Sequence, residues 1–200
     1  MENGLVESAA RIDEPDDRRF YGLTVAQVVK NCDKTHAGRV QVRLPWLPGH
    51  EPWVRLSLLD RGVYFIPQEG DEVLVSGNRG DISELYIVGC LWNGKDHPPA
   101  QKDGDPINKR VIRTPRGHNV TFDDEAGTLT ITNADKRQIT LSRDKVQVAI
   151  DENASSAITL DKDGNVTIKA SAKISLSAPQ VEIVASNGTC KIDGTQIYIG

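Results

Sequence analysis

Four histidines, His36, His50, His97 and His118, are the first candidates for acid–base or metal chemistry in this sequence. His50 follows a glycine and His97 precedes a proline, which is typical of solvated loops. No serine-elbow motif with its acid and histidine partners is present. We therefore expect no catalytic residue, no metal ligand and no cofactor.

A run of carboxylates, Asp123-Asp124-Glu125, could bind a cation or act as an acid–base pair. It lies just before Gly127, however, and this position favours a solvated turn. The segment Gly94-Lys95-Asp96 has a glycine and a lysine, but it lacks the surrounding residues of a phosphate-binding loop.

Three cysteines, Cys32, Cys90 and Cys190, lie far apart in the chain and form no CxxC pair. This spacing argues against a zinc ribbon and against a disulfide framework. We expect buried or half-buried free thiols, because a cysteine behaves as a small hydrophobic residue.

Trp46, Trp53 and Trp92 could be stacking platforms for sugars or bases, but packing in a core or between subunits is the favoured interpretation. The net charge is −4, which is unlike the basic surface that nucleic acids require. The sequence therefore predicts no nucleic-acid partner.

The elements that would position these residues fall into two regions. Residues 21–95 contain five short apolar segments separated by glycine and proline turns. In one of them Val40, Val42 and Leu44 alternate with polar residues, as in a half-buried strand. Five such strands predict an all-β domain of the OB-fold barrel type. Residues 1–20 are expected to form a polar arm, either a free tail or a segment that orders against a partner.

Residues 96–110 are rich in proline, glycine and charge and are predicted to be a linker. From residue 111 to 200 one pattern recurs about ten times: an apolar residue, a threonine or other polar residue, and a second apolar residue. Two apolar side chains per strand are too few to shelter one another within one chain, so we expect three chains to share a core. A single-chain β-solenoid and an open sandwich remain alternatives. The predicted core residues are Val120, Phe122, Leu129, Ile131, Ile139, Leu141, Val146, Val148, Ile158, Leu160, Val166, Ile168, Ile174, Leu176, Val181 and Ile183.

The barrel region contains several specific sequence motifs. They are GRVQVRLPW at residues 38–46, GDEVLV at 70–75 and YIVGCLWNG at 86–94. Together they resemble VgrG and the phage baseplate assembly protein V family, the central spikes of contractile tails, type VI secretion systems and extracellular injection particles. The likeness extends over residues 21–125. The motif residues are Gly38, Arg39, Val40, Pro45, Trp46, Gly70, Asp71, Gly80, Asp81, Gly89, Trp92 and Asn93.

The resemblance implies a homotrimer in which OB barrels surround the base of an intertwined triple-stranded β-helix, which punctures the target membrane mechanically. It also implies two partners, a baseplate hub protein and a PAAR-repeat tip protein. VgrG proteins carry a hub-like region before the barrel, so the hub is expected to be a separate subunit here. The iron-binding His-x-His pair of some phage spikes is missing after His118, which favours a separate tip protein docked on Ile197, Tyr198, Ile199 and Gly200.

No signal peptide or apolar span is recognisable, so synthesis in the cytoplasm and residence in a baseplate or injection particle are expected. The sequence does not show whether the machine is a phage tail, a tailocin, or an extracellular or cell-anchored injection system. Two other functions remain open: a trimeric tailspike-like enzyme that degrades polysaccharide, and an OB-fold protein that binds nucleic acid.

Overall fold

The computed structural model of the chain describes residues 20–32, 35 and 38–198. These residues form two compact units, one ending at Pro98 and the other beginning at Pro99. The described residues contain twelve strands and one short helix, so the chain is essentially all-β. Nearly all of the predicted N-terminal arm lies outside the described residues.

The first unit is a closed five-stranded barrel. Its strands are β1 (Leu23–Lys30), β2 (Arg39–Arg43), β3 (Trp53–Leu56), β4 (Glu72–Asn78) and β5 (Asp81–Leu91), in the order β1-β2-β3-β5-β4. The β3–β5 pair is parallel, whereas the other pairs are antiparallel. Arg55 strengthens the parallel junction, because its guanidinium donates to the Tyr86 hydroxyl at 2.6 Å and lies 4.7 Å from the ring centre. The predicted OB-type barrel is confirmed.

The barrel interior is filled by aliphatic side chains, as the alternation in β2 predicts. Val40, Val42 and Leu44 are fully buried, and the intervening Gln41 and Arg43 point outwards. A five-stranded barrel leaves little interior volume, so small β-branched residues fill it without large aromatic rings. The buried cluster is Ala26, Val28, Val40, Val42, Leu44, Val54, Val73, Val75, Leu85 and Ile87.

The β4–β5 hairpin needs two glycines for different reasons. A Cβ atom on Gly77 would lie 2.6 Å from the backbone oxygen of Asp81, so no larger residue fits there. Gly80 has a φ of 85°, a left-handed conformation that favours glycine. Its N–H donates to the Gly77 carbonyl at 3.2 Å and thereby closes the turn.

The second unit begins with a short helix, α1 (Asp105–Asn108), and continues as a seven-stranded antiparallel sheet. Its strands are β6 (Lys109–Arg113), β7 (Asn119–Asp123), β8 (Thr128–Thr132), β9 (Gln138–Leu141), β10 (Lys145–Ala149), β11 (Ala157–Asp161) and β12 (Val166–Lys169). Each strand pairs with the next along the chain, so the sheet is a simple meander. The interval predicted as a linker, residues 96–110, contains α1 and the first two residues of β6.

Residues 170–198, which we call the tail, form no strand within the described chain, and every one of them is exposed. The sequence predicts strands here at residues 174–176 and 181–183 and around 192 and 197. A strand needs a neighbour to pair its backbone groups, and the single chain provides none beyond β12. The apolar–polar–apolar pattern is therefore present in the tail without the pairing that it predicts.

Candidate functional site

The meander arranges its aliphatic side chains in two straight rows on one face. Strand register places Ile139 of β9 opposite Ile131 of β8 and Val148 of β10. Residues two positions apart on a strand share a face, so Leu141 begins a second row beside the first. The first row is Ile112, Val120, Ile131, Ile139, Val148, Ile158 and Ile168, and the second is Phe122, Leu129, Leu141, Val146, Leu160 and Val166.

These two rows, which we call the aliphatic face, are uncovered in the single chain. Ile139 at the centre of the sheet remains 38% exposed and Ile168 at the last strand 54%. The first row lines a groove of about 720 Å³ that extends from β6 to β12. An exposed apolar surface of this kind marks an interaction site.

The opposite face of the meander is polar. Thr140 lies opposite Thr130 on one side and Gln147 on the other, and Gln147 donates to the Thr159 hydroxyl at 3.0 Å. The recurring threonine of the sequence pattern thus forms its own row across the sheet. The two faces therefore differ in chemistry, one aliphatic and the other mostly polar.

At the start of each of the six turns of the meander, a side-chain oxygen accepts a hydrogen bond from a backbone N–H group of the same turn. The Asp161 carboxylate, for example, accepts the N–H groups of Asp163 and Asn165, both at 2.9 Å. Short polar side chains that bond to the backbone a few residues ahead fix the turn conformation. The six residues are Thr114, Asp123, Asn133, Ser142, Asp151 and Asp161, and we call them the turn caps.

Two of the turn caps have perturbed acidity. The Ser155 hydroxyl donates to Asp151, and this hydrogen bond, together with the Ser155 and Asn153 backbone donors, lowers the pKa of the carboxyl group. The side chain of Asn165 does the same for the pKa of Asp161, and backbone donors add to the effect. Each donor favours the ionised form, so the turns are strongest when these carboxylates are charged.

The start of the meander is held by an ion pair around a buried carboxylate. Asp105 is 8% exposed and lies 2.9 Å from the Lys109 ammonium, which also lies 3.6 Å from Asp123. The hydrogen bond from Lys109 lowers the pKa of Asp105, and in turn Asp105 raises the pKa of Lys109. This arrangement attaches α1 to the first hairpin.

The side chains that suggested chemistry in the sequence are dispersed. The Asp123 carboxylate accepts the Ala126 N–H at 2.9 Å, and Glu125 accepts the side-chain amide of Asn108 at 3.1 Å, so this run serves a turn. The exposed ring of His118 accepts the Ala134 N–H at 3.3 Å. His36 lies outside the described residues, and no group of metal-binding side chains occurs within residues 20–32, 35 and 38–198.

Cys32, Cys90 and Cys190 are free thiols, as expected, but all three residues are exposed, so the expectation that they are buried or half-buried is wrong. Cys90 lies in β5 near the end of the barrel, where the side of the strand that faces the core is no longer covered. Its sulfur is still partly enclosed, and this burial raises the pKa of the thiol, with the Asp71 carboxylate acting in the same direction.

The tryptophans lie at the barrel surface and are absent from its core. Trp46 is 45% and Trp92 68% exposed, whereas Trp53 is half-buried. The Trp46 ring lies 5.4 Å from that of Phe20, and the Lys30 ammonium lies 5.9 Å from the Trp53 ring. Of the two favoured interpretations, packing in the barrel core is therefore wrong for Trp46 and Trp92.

The motif residues of the barrel have local structural roles. Asp71 accepts the Gln68 N–H at 2.7 Å, Asp81 accepts the Ser83 N–H at 2.8 Å, and the Asn93 side chain accepts two N–H groups at 2.8 Å. Val40 is part of the core, and the Gly70 N–H donates to the Val28 carbonyl at 2.9 Å. These motif residues thus stabilise the turns and strand junctions of the barrel.

At the other end of the chain, Ile197 is 52% and Tyr198 86% exposed, while Ile199 and Gly200 lie outside the described residues. The Tyr198 hydroxyl donates to the side chain of Gln196 at 3.1 Å, and its ring remains exposed. In the described part of the chain no helix is both long and apolar enough to span a bilayer.

Comparison with known families identifies the barrel. Residues 24–92 match the family described as the type VI secretion system/phage-baseplate injector OB domain. The predicted resemblance to baseplate protein V and VgrG is thereby confirmed for the barrel, which covers about a third of the chain. A search of curated proteins gave no match. The chain thus carries an injector OB domain of the baseplate type joined to a β-meander with an uncovered aliphatic face.

Proposed function

We propose that this chain is the central spike subunit of a contractile injection machine, working as a homotrimer that pierces the target membrane mechanically and catalyses no reaction. The observation that carries the proposal is the aliphatic face, attached to an OB domain of the baseplate-injector family. Three copies of the meander, with their aliphatic faces turned to a common axis, would form a three-sided shaft with a dry interior.

The free energy available from this packing is large. Thirteen side chains make up the two rows, and eleven of them keep 38–64% of their surface in water. Completing the burial of one such residue contributes about 1 kcal/mol, so each chain would gain on the order of 10 kcal/mol. A gain of this size, summed over three chains, exceeds the entropic cost of association, which is roughly 4–15 kcal/mol for each binding step.

The tail supports the same assembly. Its backbone has few hydrogen bonds within the described chain. Within residues 172–198 a single backbone–backbone hydrogen bond is formed, in which the Gly188 N–H donates to the Ala185 carbonyl at 3.4 Å. Ile174, Leu176, Val181 and Ile183 keep the spacing of the meander rows, but each is more than half exposed. Strands from neighbouring copies would pair with the tail and produce an intertwined triple-stranded β-helix in the distal part of the shaft.

Two partners complete the proposed machine. A hub protein would hold the barrels, and a PAAR-type tip protein would dock on the apolar strip that begins with Ile197 and Tyr198. A Tyr198→Ser change is expected to weaken binding of a purified tip protein without altering the mass of the spike. Equal binding by the variant and the unchanged chain would refute docking at this strip.

Sedimentation of the full chain in dilute solution tests the central proposal. We expect a particle of three times the 21.9 kDa chain mass, elongated because stacked strands advance about 4.8 Å each. A folded, compact monomer at micromolar concentration would refute the spike, because a single chain leaves the aliphatic face in water.

The two other functions have less support. A polysaccharide-degrading enzyme needs two carboxylates that face each other across a groove, yet Asp123, Asp151 and Asp161 are occupied as turn caps. Binding of single-stranded DNA by exposed Trp46 and Trp92 would require a basic surface, and the chain has a net charge of −4. A polysaccharide digestion assay and a DNA-binding assay at low salt test these alternatives directly.

A further inference from the structure

The meander and the tail share one hydrophobic pattern but differ in how their strand register is fixed. In the meander each of the six turns has a cap, so each hairpin sets its own register within one chain. Within residues 172–198 the hydrogen bonds join groups only two or three residues apart, in short contacts such as Gly188 with Ala185 and Tyr198 with Gln196.

The presence of turn caps in the meander and not in the tail matters, because a repeated apolar–polar–apolar pattern allows the strands to pair in more than one register. The segments Ile174-Ser-Leu176 and Val181-Glu-Ile183 are nearly interchangeable as partners for one another. Strands with such uniform faces are prone to slip, since several pairings bury similar apolar area. Free tails that met first would therefore sample many misaligned pairings, and something outside the tail must select one.

We infer that the meander is the register-setting element of assembly: its capped hairpins form within each chain, three meanders then join through the aliphatic face, and only then do the tails pair. This inference rests on the proposed trimeric spike and adds an order of events to it. Hairpins with loops of three to seven residues close quickly because their contacts are local. Pairing between tails requires that three chains first be held together, so its rate depends on protein concentration.

The anchor between the two segments fits this order. The Ser171 N–H donates to the Ser156 hydroxyl at 3.0 Å, and the two hydroxyl groups lie 3.2 Å apart. Ser156 belongs to the turn between β10 and β11. The first residues of the tail are thus attached to a capped turn of the same chain, and this contact fixes where the tail leaves the sheet.

Pulse-labelling hydrogen exchange during refolding of the full chain, read by mass spectrometry, tests the inference. We expect amides of residues 109–169 to gain protection at a rate independent of protein concentration. Amides of residues 172–184 should gain protection later, and faster at higher concentration. The mass of the final species is measured in parallel, so that the trimer and the order of folding are judged separately.

Paired variants sharpen the test. Asp151→Ala with Asp161→Ala should lower meander protection by about fivefold at each turn, because each turn loses the side-chain acceptor of two backbone N–H groups. The double change should delay protection of the tail as well. Asp163→Ala is the matched control, since that residue contributes its backbone to the same turn. Leu176→Ser with Ile183→Ser should remove tail protection and leave the meander unchanged.

Each result supports or overturns the inference. Tail protection that precedes meander protection, or appears with it at every concentration, would overturn the inference and leave the trimer intact. Loss of meander protection in the Leu176→Ser/Ile183→Ser variant would also overturn it. A final mass of one chain would overturn both the inference and the proposed function.

Discussion

Replacing Ile139 with alanine tests the aliphatic face quantitatively. Ile139 lies in the central strand β9, between Ile131 and Val148, and is 38% exposed in the single chain. Full burial of an isoleucine contributes roughly 1.5–3 kcal/mol, so the exposed part accounts for about 1 kcal/mol per copy. A trimer contains three copies, and Ile139→Ala should therefore weaken association by about 3 kcal/mol, or about a hundredfold in the association constant.

The association constant of a trimer contains the cube of the monomer concentration, so the midpoint concentration of assembly varies as the inverse square root of that constant. A hundredfold loss in the association constant should therefore raise the midpoint concentration by about tenfold. Sedimentation velocity over a dilution series measures that midpoint. Thr140→Ala is the matched control, since Thr140 is the next residue of β9 and lies on the polar face. An unchanged midpoint for Ile139→Ala, or an equal shift for both variants, would refute burial of the aliphatic face between chains.

Three further predictions concern the folded chain itself. Lowered pKa values at Asp151 and Asp161 mean that their contribution to stability is present above pH of about 4 and is lost as pH falls through the folded-state pKa. The double change to asparagine keeps both acceptors, so its acid titration by circular dichroism should be flatter. Gly77→Ala should destabilise the barrel by about 2 kcal/mol or more in urea unfolding, whereas Gly89→Ala, with no atom within 4 Å of the new Cβ, should not. Leu44→Ala should cost about 2–5 kcal/mol in the same assay, because Leu44 is fully buried; a loss below 1 kcal/mol would contradict its place in the core.

Short apolar segments and the glycine and proline turns between them were sufficient to predict the barrel strands, with clear alternation in β2. Val40 and Val42 point inwards and are fully buried, and β2 ends at Arg43, one residue before the predicted Leu44. Likewise, the apolar–threonine–apolar pattern predicted six strands of the meander. Strand β6 was missed, because Val111 and Ile112 are adjacent apolar residues and do not alternate.

Exposure of Cys90 could not be predicted from its residue type, because it depends on where the barrel ends. A register shift between Leu74 and Val75 in the β4–β5 pair places Cys90 opposite the buried Val73, so the bulge turns Cys90 towards the core side of the strand. Near the end of β5 that side is no longer covered, and the hydrophobicity of the sequence carries no record of this. The cysteine was assigned to the interior from its residue type alone.

The turn caps were missed, although the sequence contains a signal for them. Thr114, Asp123, Asn133, Ser142 and Asp151 recur every nine or ten residues, each within two residues of the end of a strand. Short acceptor side chains at such positions predict a turn. The trimer, the tip protein and the hub remain predictions, since they involve contacts with other chains.

The simple up-and-down order of the meander makes the length of this region adjustable. Strand direction alternates from β6 to β12 and every turn is closed by its own residues. A duplicated hairpin of about twenty residues could be inserted without reversing any later strand, and it would lengthen the sheet by about 9.6 Å, twice the spacing between strands. Gene duplication in units of two strands would thus extend or shorten such a chain by fixed steps.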